Sequence, residues 1–379
     1  MKNNRTNFRA NIRVLLTGGG TGGHLFPAVA AAQEFQRQMP GTQILFVGTR
    51  RGVDTKSLTV YGFPSESIRC YGLKGKNPLE LLKALAILPL SFIQAGRIIR
   101  RFRPDIIFGV GGYVTGPVIV AGKAMGVPTV IHEQNSVPGL ANRKLGRLVD
   151  RVCLSMAGSG AWFPAEKTVY TGNPVRRDIL DLAQSPPPRK DRKRTLLILG
   201  GSQGARAVNQ LVAEGLRSLP DDVLADLRVI HQTGEADAAT VREQYAGRGI
   251  DALVQPFFTG MAEVYGQADL LVSRAGATTL SEIAVLGKPV ILIPYPYAAD
   301  NHQEKNGDHY VTGGGAIQYR QSELSSTRLA ELIGNLIRDE NTLNVMGNAM
   351  KTLAFPDAAA KIVACCLQVM EEKRGCRMP

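Results

Sequence analysis

Two stretches of this chain repeat one local pattern: a short apolar run, a glycine-rich turn, then a helix-like segment. Ile12-Arg-Val-Leu-Leu-Thr17 leads into Gly18-Gly-Gly-Thr-Gly-Gly-His24 and then into Pro27-Ala-Val-Ala-Ala-Ala-Gln-Glu-Phe35. Leu196–Leu199 leads into Gly200-Gly-Ser-Gln-Gly-Ala205 and then into Val208 to Leu216. A parallel strand buried on both faces reads as a continuous apolar run, and a glycine turn lets the chain pass directly into a helix. One such start at residue 12 and another at residue 196 predict an α/β protein with two Rossmann-like domains in tandem. A length of 379 residues suits two domains.

The intervening sequence supports repeated β-α units. Strands are expected at Ile44–Val47, Ile106–Val110 and Thr129–His132 in the first half. In the second half they are expected at Arg228–Gln232, Leu253–Pro256, Leu270–Ser273 and Val290–Ile293, with helical stretches between. Gln184-Ser-Pro-Pro-Pro-Arg-Lys-Asp-Arg-Lys-Arg194 is an exposed loop or linker edge by its proline and charge content. The boundary is placed after Pro174, giving domains at 12–174 and 175–354. Ala358–Glu372 reads as one helix, and the segment 355–372 is expected to pack back on the first domain.

Apolar residues make up 44% and charged residues 20%, which excludes a disordered, collagen-like or polytopic membrane chain. Five scattered cysteines form no disulfide framework and no CxxC pair, so a reducing compartment is expected. Met1 to Arg13 is basic without a following apolar core, which predicts no signal peptide. The charge-free stretch Ile106 to Gly122 is broken by glycines and Pro117 and is too short to span a membrane.

The net charge of +13 is unevenly placed. Residues 1–177 carry 24 Lys and Arg against 8 Asp and Glu, whereas the remainder is slightly acidic. A one-sided positive field calls for a polyanionic partner of that half: nucleic acid, an anionic membrane or a phosphorylated substrate. The alternative is compositional drift. Nucleic acid is disfavoured because aromatic and basic residues do not interleave as on RNA-binding platforms. The apolar run Leu79–Ile93 has Lys74, Lys76 and Lys83 on one side and Arg97, Arg100, Arg101 and Arg103 on the other. That arrangement predicts a helix with one face in the protein and one at a lipid surface.

The glycine turns carry the chemistry. Gly18–His24 presents backbone N–H groups at a helix start, where phosphate is favoured, although it is neither GxGxxG nor a P-loop. No acidic residue ends the second strand, so a nicotinamide cofactor is not expected. His24 is either a general base or a helix-start hydrogen-bonding group. Gly111-Gly-Tyr-Val-Thr-Gly-Pro117 makes a second turn at the same sheet edge. His132-Glu-Gln-Asn135 follows a buried strand; polar residues there are expected to point into a crevice, with Glu133 and Asn135 as ligand contacts. Arg176 either reaches a diphosphate or is a surface cation. In Ser273-Arg-Ala-Gly-Ala-Thr-Thr-Leu-Ser-Glu282, small residues open a helix start to phosphate and Glu282 suits ribose hydroxyls. Asp300-Asn-His-Gln303 reads as a sugar-hydroxyl loop. No DxD motif or His/Asp/Glu cluster suggests a catalytic metal.

The segments TGGGTGGHLFPA, GVGGYVTGP, HEQN, TGNPVR, GGSQGA, SRAGATTLSEIAVLGKP and DNHQ.KN occur in the order and spacing of one family. Over residues 12–355 the chain resembles the MurG family, the N-acetylglucosaminyltransferases of peptidoglycan synthesis. The resemblance implies the GT-B fold, two Rossmann-like domains facing across a cleft. It implies inverting transfer of N-acetylglucosamine from UDP-GlcNAc to the C4 hydroxyl of undecaprenyl-diphosphate-linked MurNAc-pentapeptide, with no cofactor. It places the donor at Thr21, Gly22, Gly23, Asn135, Arg176, Ser202, Phe258, Ala277, Thr278, Thr279, Leu280, Ser281, Glu282 and Gln303. The acceptor diphosphate would face Gly19, Gly20, Gly111, Gly112 and Tyr113, and His24 or Glu133 would handle the proton. It also implies peripheral attachment to an anionic membrane at the cytoplasmic face of the inner membrane, with other cell-wall synthesis proteins as partners. The rival on the same fold is another UDP-sugar enzyme, such as a lipid glycosyltransferase or a UDP-GlcNAc 2-epimerase, neither of which is expected to carry all seven motifs.

Overall fold

The computed structural model describes residues 11–19, 22–49, 58–72, 78–185, 193–201 and 204–375. The expectations for Gly20, Thr21, Lys74, Lys76 and Ser202, and most of the Pro-rich loop, lie outside them. The chain divides into two compact units. One comprises Met1–Gln134, Pro138–Arg176 and Asp357–Pro379; the other comprises Asn135–Val137 and Arg177–Pro356.

The first unit is built on strands β1 (Arg13–Thr17), β2 (Gln43–Gly48), β3 (Ser65–Ser67), β4 (Ile106–Gly109), β5 (Thr129–Glu133), β6 (Arg151–Leu154) and β7 (Thr168–Tyr170). They pair in parallel in the order β3-β2-β1-β4-β5-β6-β7. Its helices include α1 (Gly22–Gln38), α2 (Pro78–Phe102), α3 (Thr115–Ala124) and α4 (Leu140–Leu145).

The second unit carries β8 (Arg194–Leu199), β9 (Leu227–Gln232), β10 (Ala252–Gln255), β11 (Leu270–Ser273), β12 (Val290–Leu292) and β13 (Ala316–Gln318). These are also parallel, in the order β10-β9-β8-β11-β12-β13. Around them lie α5 (Arg177–Gln184), α6 (Arg206–Arg217), α7 (Asp221–Ala225), α8 (Ala238–Ala246), α9 (Met261–Gln267), α10 (Ala277–Leu286), α11 (His302–Thr312), α12 (Ser326–Arg338) and α13 (Glu340–Thr352). The last helix, α14 (Ala358–Gly375), belongs to the first unit.

Alternation along each strand divides the core. Val14 and Leu16 of β1 face one side, with Phe35 of α1 and Ile362 and Val369 of α14. Leu15 faces the other, with Ile98 of α2 and Val118 of α3. Successive side chains of a strand leave on opposite faces, so a strand covered on both sides must be apolar throughout. Each sheet reverses its strand order beside its first strand, between β1 and β4 and between β8 and β11. The loops leaving the carboxyl ends there diverge and open a crevice.

The long helix α2 departs from the charge-free criterion applied above. A window within Leu82–Phe102 has a mean hydropathy of 1.5 and is long and apolar enough to cross a membrane by length and composition. Lys83 and Arg97 interrupt it, which is why a search for uncharged runs passes it over. Its geometry is two-faced. At about 100° per residue, Leu82, Leu90, Ile93, Arg97 and Arg100 fall within one arc of about 80°. All five are exposed, Leu82 at 64% and Ile93 at 52%. On the opposite arc, Ala84, Ser91, Ala95, Ile98 and Ile99 are buried in the unit.

In each sheet a strand holds a buried histidine. His132 of β5 and His231 of β9 have their imidazolium forms disfavoured by burial, with pKa values pushed down to about 4 and about 3. His231 is held neutral between the Tyr245 hydroxyl (2.8 Å) and Asn209 Oδ1 (3.1 Å). An unfolded histidine titrates near 6.5, so below that pH the unfolded chain takes up protons that the folded one refuses. Stability is therefore complete above pH 6.5 and falls as pH drops toward 4. At pH 5 each histidine is expected to cost its unit about 2 kcal/mol. Denaturant unfolding at pH 7 and pH 5 measures this; the loss should shrink in a His231→Gln variant. An unchanged midpoint at pH 5 would show that neither ring resists protonation.

Candidate active site

At the carboxyl edge of the first sheet, three turns converge within the first unit. β1 ends at Thr17, whose carbonyl accepts from Val110 N (2.9 Å) and from the Thr115 hydroxyl (3.3 Å). The turn after β4 places Gly111 and Gly112 at φ +97° and +82°. Both the left-handed backbone and the space require glycine there. A Cβ on Gly111 would lie 3.1 Å from His24 Cε1, and one on Gly112 would lie 2.8 Å from the Gly19 carbonyl. Tyr113 is half-buried, and its carbonyl accepts from Cys70 Sγ (3.3 Å).

α1 begins at Gly22 rather than at Pro27, so Gly22, Gly23 and His24 form its first turn. His24 is half-buried, with Nδ1 3.2 Å from Gln134 Oε1. Pro27, expected to open the helix, lies inside it, where its missing N–H removes one potential hydrogen bond.

The HEQN segment corrects the expectation that its polar residues point into a crevice. His132 and Glu133 belong to β5, and His132, Glu133 and Gln134 are all buried. They satisfy each other and their surroundings. Gln134 Nε2 donates to Val110 O (2.9 Å) and to His132 Nδ1 (3.1 Å). His132 Nε2 contacts Gly172 O and Ser155 Oγ, each at 3.1 Å. Glu133 Oε2 accepts from Gly139 N (3.1 Å) and Asn142 Nδ2 (2.9 Å), fixing the entry to α4. Buried polar groups are tolerated when hydrogen-bonded, and polarity alone did not distinguish this network from a ligand surface.

Arg176 is also buried. Its Nη1 donates to the Tyr61 hydroxyl (3.1 Å), and its guanidinium lies 4.3 Å above the Phe26 ring of α1. That removes the surface-cation alternative. Asn173, three residues earlier, is buried with neither side-chain nitrogen nor oxygen hydrogen-bonded. Sequence reasoning missed Gln134, Asn142 and Asn173; each stood in or beside a motif, yet only burial and pairing reveal its place.

In the second unit, α10 starts after Gly276, which caps it in extended conformation without a side-chain cap. The first-turn amides of Ala277, Thr278 and Thr279 are the donors a helix start leaves to an anion. Gly287, at φ +61°, ends the helix. Leu280 is buried, and the Ser281 hydroxyl donates to Ala277 O (2.9 Å). Glu282 is buried and accepts from the Tyr265 hydroxyl (3.1 Å). Phe258 is buried, and its N–H donates to Gln232 Oε1 (3.1 Å). Gln232 Nε2 donates in turn to Gly201 O (3.3 Å), tying the end of β9 to the loops after β8 and β10.

Gln303 Oε1 accepts from Tyr295 N (2.9 Å), joining the start of α11 to the loop after β12. Asp300 and Asn301 precede it at φ +54° and +55°. Two adjacent non-glycine residues in the left-handed region store strain of a kind concentrated at functional loops. Asn135 of the short segment Asn135–Val137 accepts from Asn306 Nδ2 (3.1 Å), and Asn306 Oδ1 accepts from Ser136 N (2.9 Å). Among the described residues, no three His, Cys, Asp or Glu side chains group so as to hold a metal ion.

This arrangement has counterparts in known proteins. Residues 14–154 match the glycosyltransferase family 28 N-terminal domain, and residues 195–362 match the family's C-terminal domain. The chain belongs to glycosyltransferase family 28. A relative from Desulfotalea psychrophila is 55% identical over 94% of this chain and 97% of its own length. One from Myxococcus xanthus is 42% identical over 96% of this chain and 94% of its own. Both carry the name UDP-N-acetylglucosamine–N-acetylmuramyl-(pentapeptide) pyrophosphoryl-undecaprenol N-acetylglucosamine transferase. Among solved structures, Acinetobacter baumannii MurG aligns with a TM-score of 0.71 at 31% identity, covering 94% of this chain and 99% of that one. These family 28 matches agree with the resemblance read from the seven motifs and with a GT-B architecture of two parallel-sheet domains.

Proposed function

We propose that this chain transfers N-acetylglucosamine from UDP-N-acetylglucosamine to the C4 hydroxyl of MurNAc-pentapeptide on undecaprenyl diphosphate, inverting the anomeric carbon. What carries the reading is 55% identity, over 94% of the chain, to a relative named for that transferase reaction. The second unit takes the donor. The α10 amides of Ala277 to Thr279 meet the UDP diphosphate and stabilise the charge that gathers on it as the sugar leaves. Glu282 accepts from the ribose hydroxyls, Phe258 and Ser202 contribute to the donor site, and Gln303 and Asn135 take sugar hydroxyls. Arg176, Thr21, Gly22 and Gly23 complete the donor contacts.

The acceptor diphosphate lies against Gly19, Gly20, Gly111, Gly112 and Tyr113. The C4 oxygen attacks the anomeric carbon, its proton passes to His24, and the bond to UDP breaks with its electron pair going to the diphosphate. His24 is favoured over Glu133 as the base because its ring is half-exposed, whereas the buried Glu133 carboxylate already holds two donors. The work is done at the cytoplasmic face of the inner membrane, with the exposed arc of α2 at the lipid surface, and its product feeds the wall growth on which cell shape and division depend.

Incubating the purified chain with radiolabelled UDP-N-acetylglucosamine and the lipid-linked acceptor should yield labelled disaccharide lipid. Epimerised UDP-sugar without lipid labelling would sink the reading. Glu282→Gln keeps an acceptor for Tyr265 but removes the charge facing ribose. A charge-assisted hydrogen bond is worth about 1.5–3 kcal/mol, so UDP and UDP-N-acetylglucosamine should both bind about tenfold or more weakly. Calorimetry with UDP decides; unchanged affinity in the folded variant takes ribose away from Glu282.

A further inference from the structure

The hydrogen bonds around Gln134 have a direction. Its Nε2 faces the Val110 carbonyl at 2.9 Å, which can only accept, and the His132 carbonyl lies 3.3 Å from the same nitrogen. Turning the amide over would set its oxygen against two carbonyl oxygens in a buried site, so the NH2 end is fixed there. The Oε1 end must then be the atom 3.2 Å from His24 Nδ1. An amide oxygen accepts only, so His24 carries its proton on Nδ1 and its lone pair on Nε2.

The inner half of the chain agrees. Gln134 Nε2 donates to His132 Nδ1 at 3.1 Å, which leaves the His132 proton on Nε2, 3.1 Å from the Gly172 carbonyl. Burial keeps His132 neutral, so it does not turn around by taking a second proton. Every donor from His24 inward to Gly172 thus has an acceptor, and the order can run only one way.

We propose that Gln134 is a positioning residue for transfer: it holds neutral His24 as the Nδ1–H tautomer, leaving the Nε2 lone pair for the acceptor hydroxyl. An unconstrained imidazole side chain prefers its proton on Nε2, so the buried amide reverses an intrinsic preference. In the transfer step Nε2 takes the C4 hydroxyl proton while the oxygen bonds to the anomeric carbon and UDP departs with its electron pair. The resulting imidazolium keeps Nδ1–H on the Gln134 carbonyl. The inference rests on His24 being the base, and the test separates the two claims.

The probe is the full-length protein labelled with ¹⁵N-histidine, read by long-range proton–nitrogen correlation above pH 8, with His24 assigned by its loss in His24→Gln. His24 should show a protonated Nδ1 and a pyridine-like Nε2, the reverse of His132. In Gln134→Met the His24 pattern should shift toward Nε2–H. kcat should fall about 10- to 100-fold, as when other ring-orienting partners are lost, with the KM for UDP-N-acetylglucosamine within twofold. A wild-type His24 protonated on Nε2 overturns the proposal without any variant, as does a Gln134→Met protein that loses kcat with its tautomer unchanged. A tautomer shift with kcat intact leaves Gln134 as the orienting group and removes His24 as the base.

Discussion

His24→Ala should lower kcat by about 10²- to 10⁴-fold, the range associated with losing a positioned general base. The acceptor hydroxyl is a poor nucleophile and must shed its proton as the new bond forms. A neutral imidazole with a free ring nitrogen can accept that proton. His24 stands in the first turn of α1, at the switch point of the first sheet and against Gly111, so its loss should spare UDP-N-acetylglucosamine affinity. Whatever activity remains should also lose the acidic limb of the rate profile. A variant that keeps this limb and merely raises the acceptor KM would make His24 an orienting group for the diphosphate and pass the proton to another residue.

How much of this could be read before the structure depends on where burial is total. The central strands β1, β4, β8 and β11 are covered on both faces, so their sequences are unbroken apolar runs that stand out unaided. The three-residue edge strands are different. β3 is Ser-Glu-Ser, β7 is Thr-Val-Tyr and β13 is Ala-Ile-Gln. Each is three residues long and held by pairing to a neighbour rather than by its own apolar content, so none carried a signal. The paired start at residues 12 and 196 was legible because the glycine turn is a backbone requirement. The unit boundary at Arg176 and Arg177 falls two residues beyond Pro174, within a segment where composition changes little.

The site divides along the same line. Glycine loops and the α10 start are backbone features, and their sequences announce them. The buried side-chain network of His132, Glu133, Gln134 and Asn142 is a packing feature. Read singly, those residues are polar and suggest exposure; only the pairings of Gln134 with Val110 and of Glu133 with Asn142 explain how they lie inside. Asn306 was inside the quoted motif DNHQ.KN but gained no role until its bonds to Asn135 and Ser136 were seen. A motif shows that a residue type recurs with a spacing; which of its members face a ligand and which hold the others still is decided in three dimensions.

Replacing Lys83, Arg97, Arg100 and Arg103 with Gln should cut binding to anionic vesicles by roughly 10³-fold at low salt, since each basic residue near such a surface contributes on the order of 1 kcal/mol. Arg101 is left in place because it already pairs with Glu66, so little of its charge is available to lipid. The four substituted side chains are exposed, and three of them belong to α2, whose opposite face is packed into the first unit. Leu82, Leu90 and Ile93 occupy the outward arc ahead of the arginines. A helix so divided can enter the headgroup region with its apolar residues while the cations reach phosphate, and needs no spanning geometry. The loss should therefore be electrostatic in kind. Wild-type binding should fall steeply with added salt and the variant's weakly, because screening acts on the charges and leaves the apolar contribution intact. Turnover of a water-soluble acceptor analogue should be unchanged, since none of the four lies among the proposed donor or acceptor contacts. Co-sedimentation of the variant with phosphatidylglycerol vesicles at low salt, undiminished, would leave the positive first half without a lipid explanation. The excess charge would then have to be assigned to the phosphates of the acceptor itself.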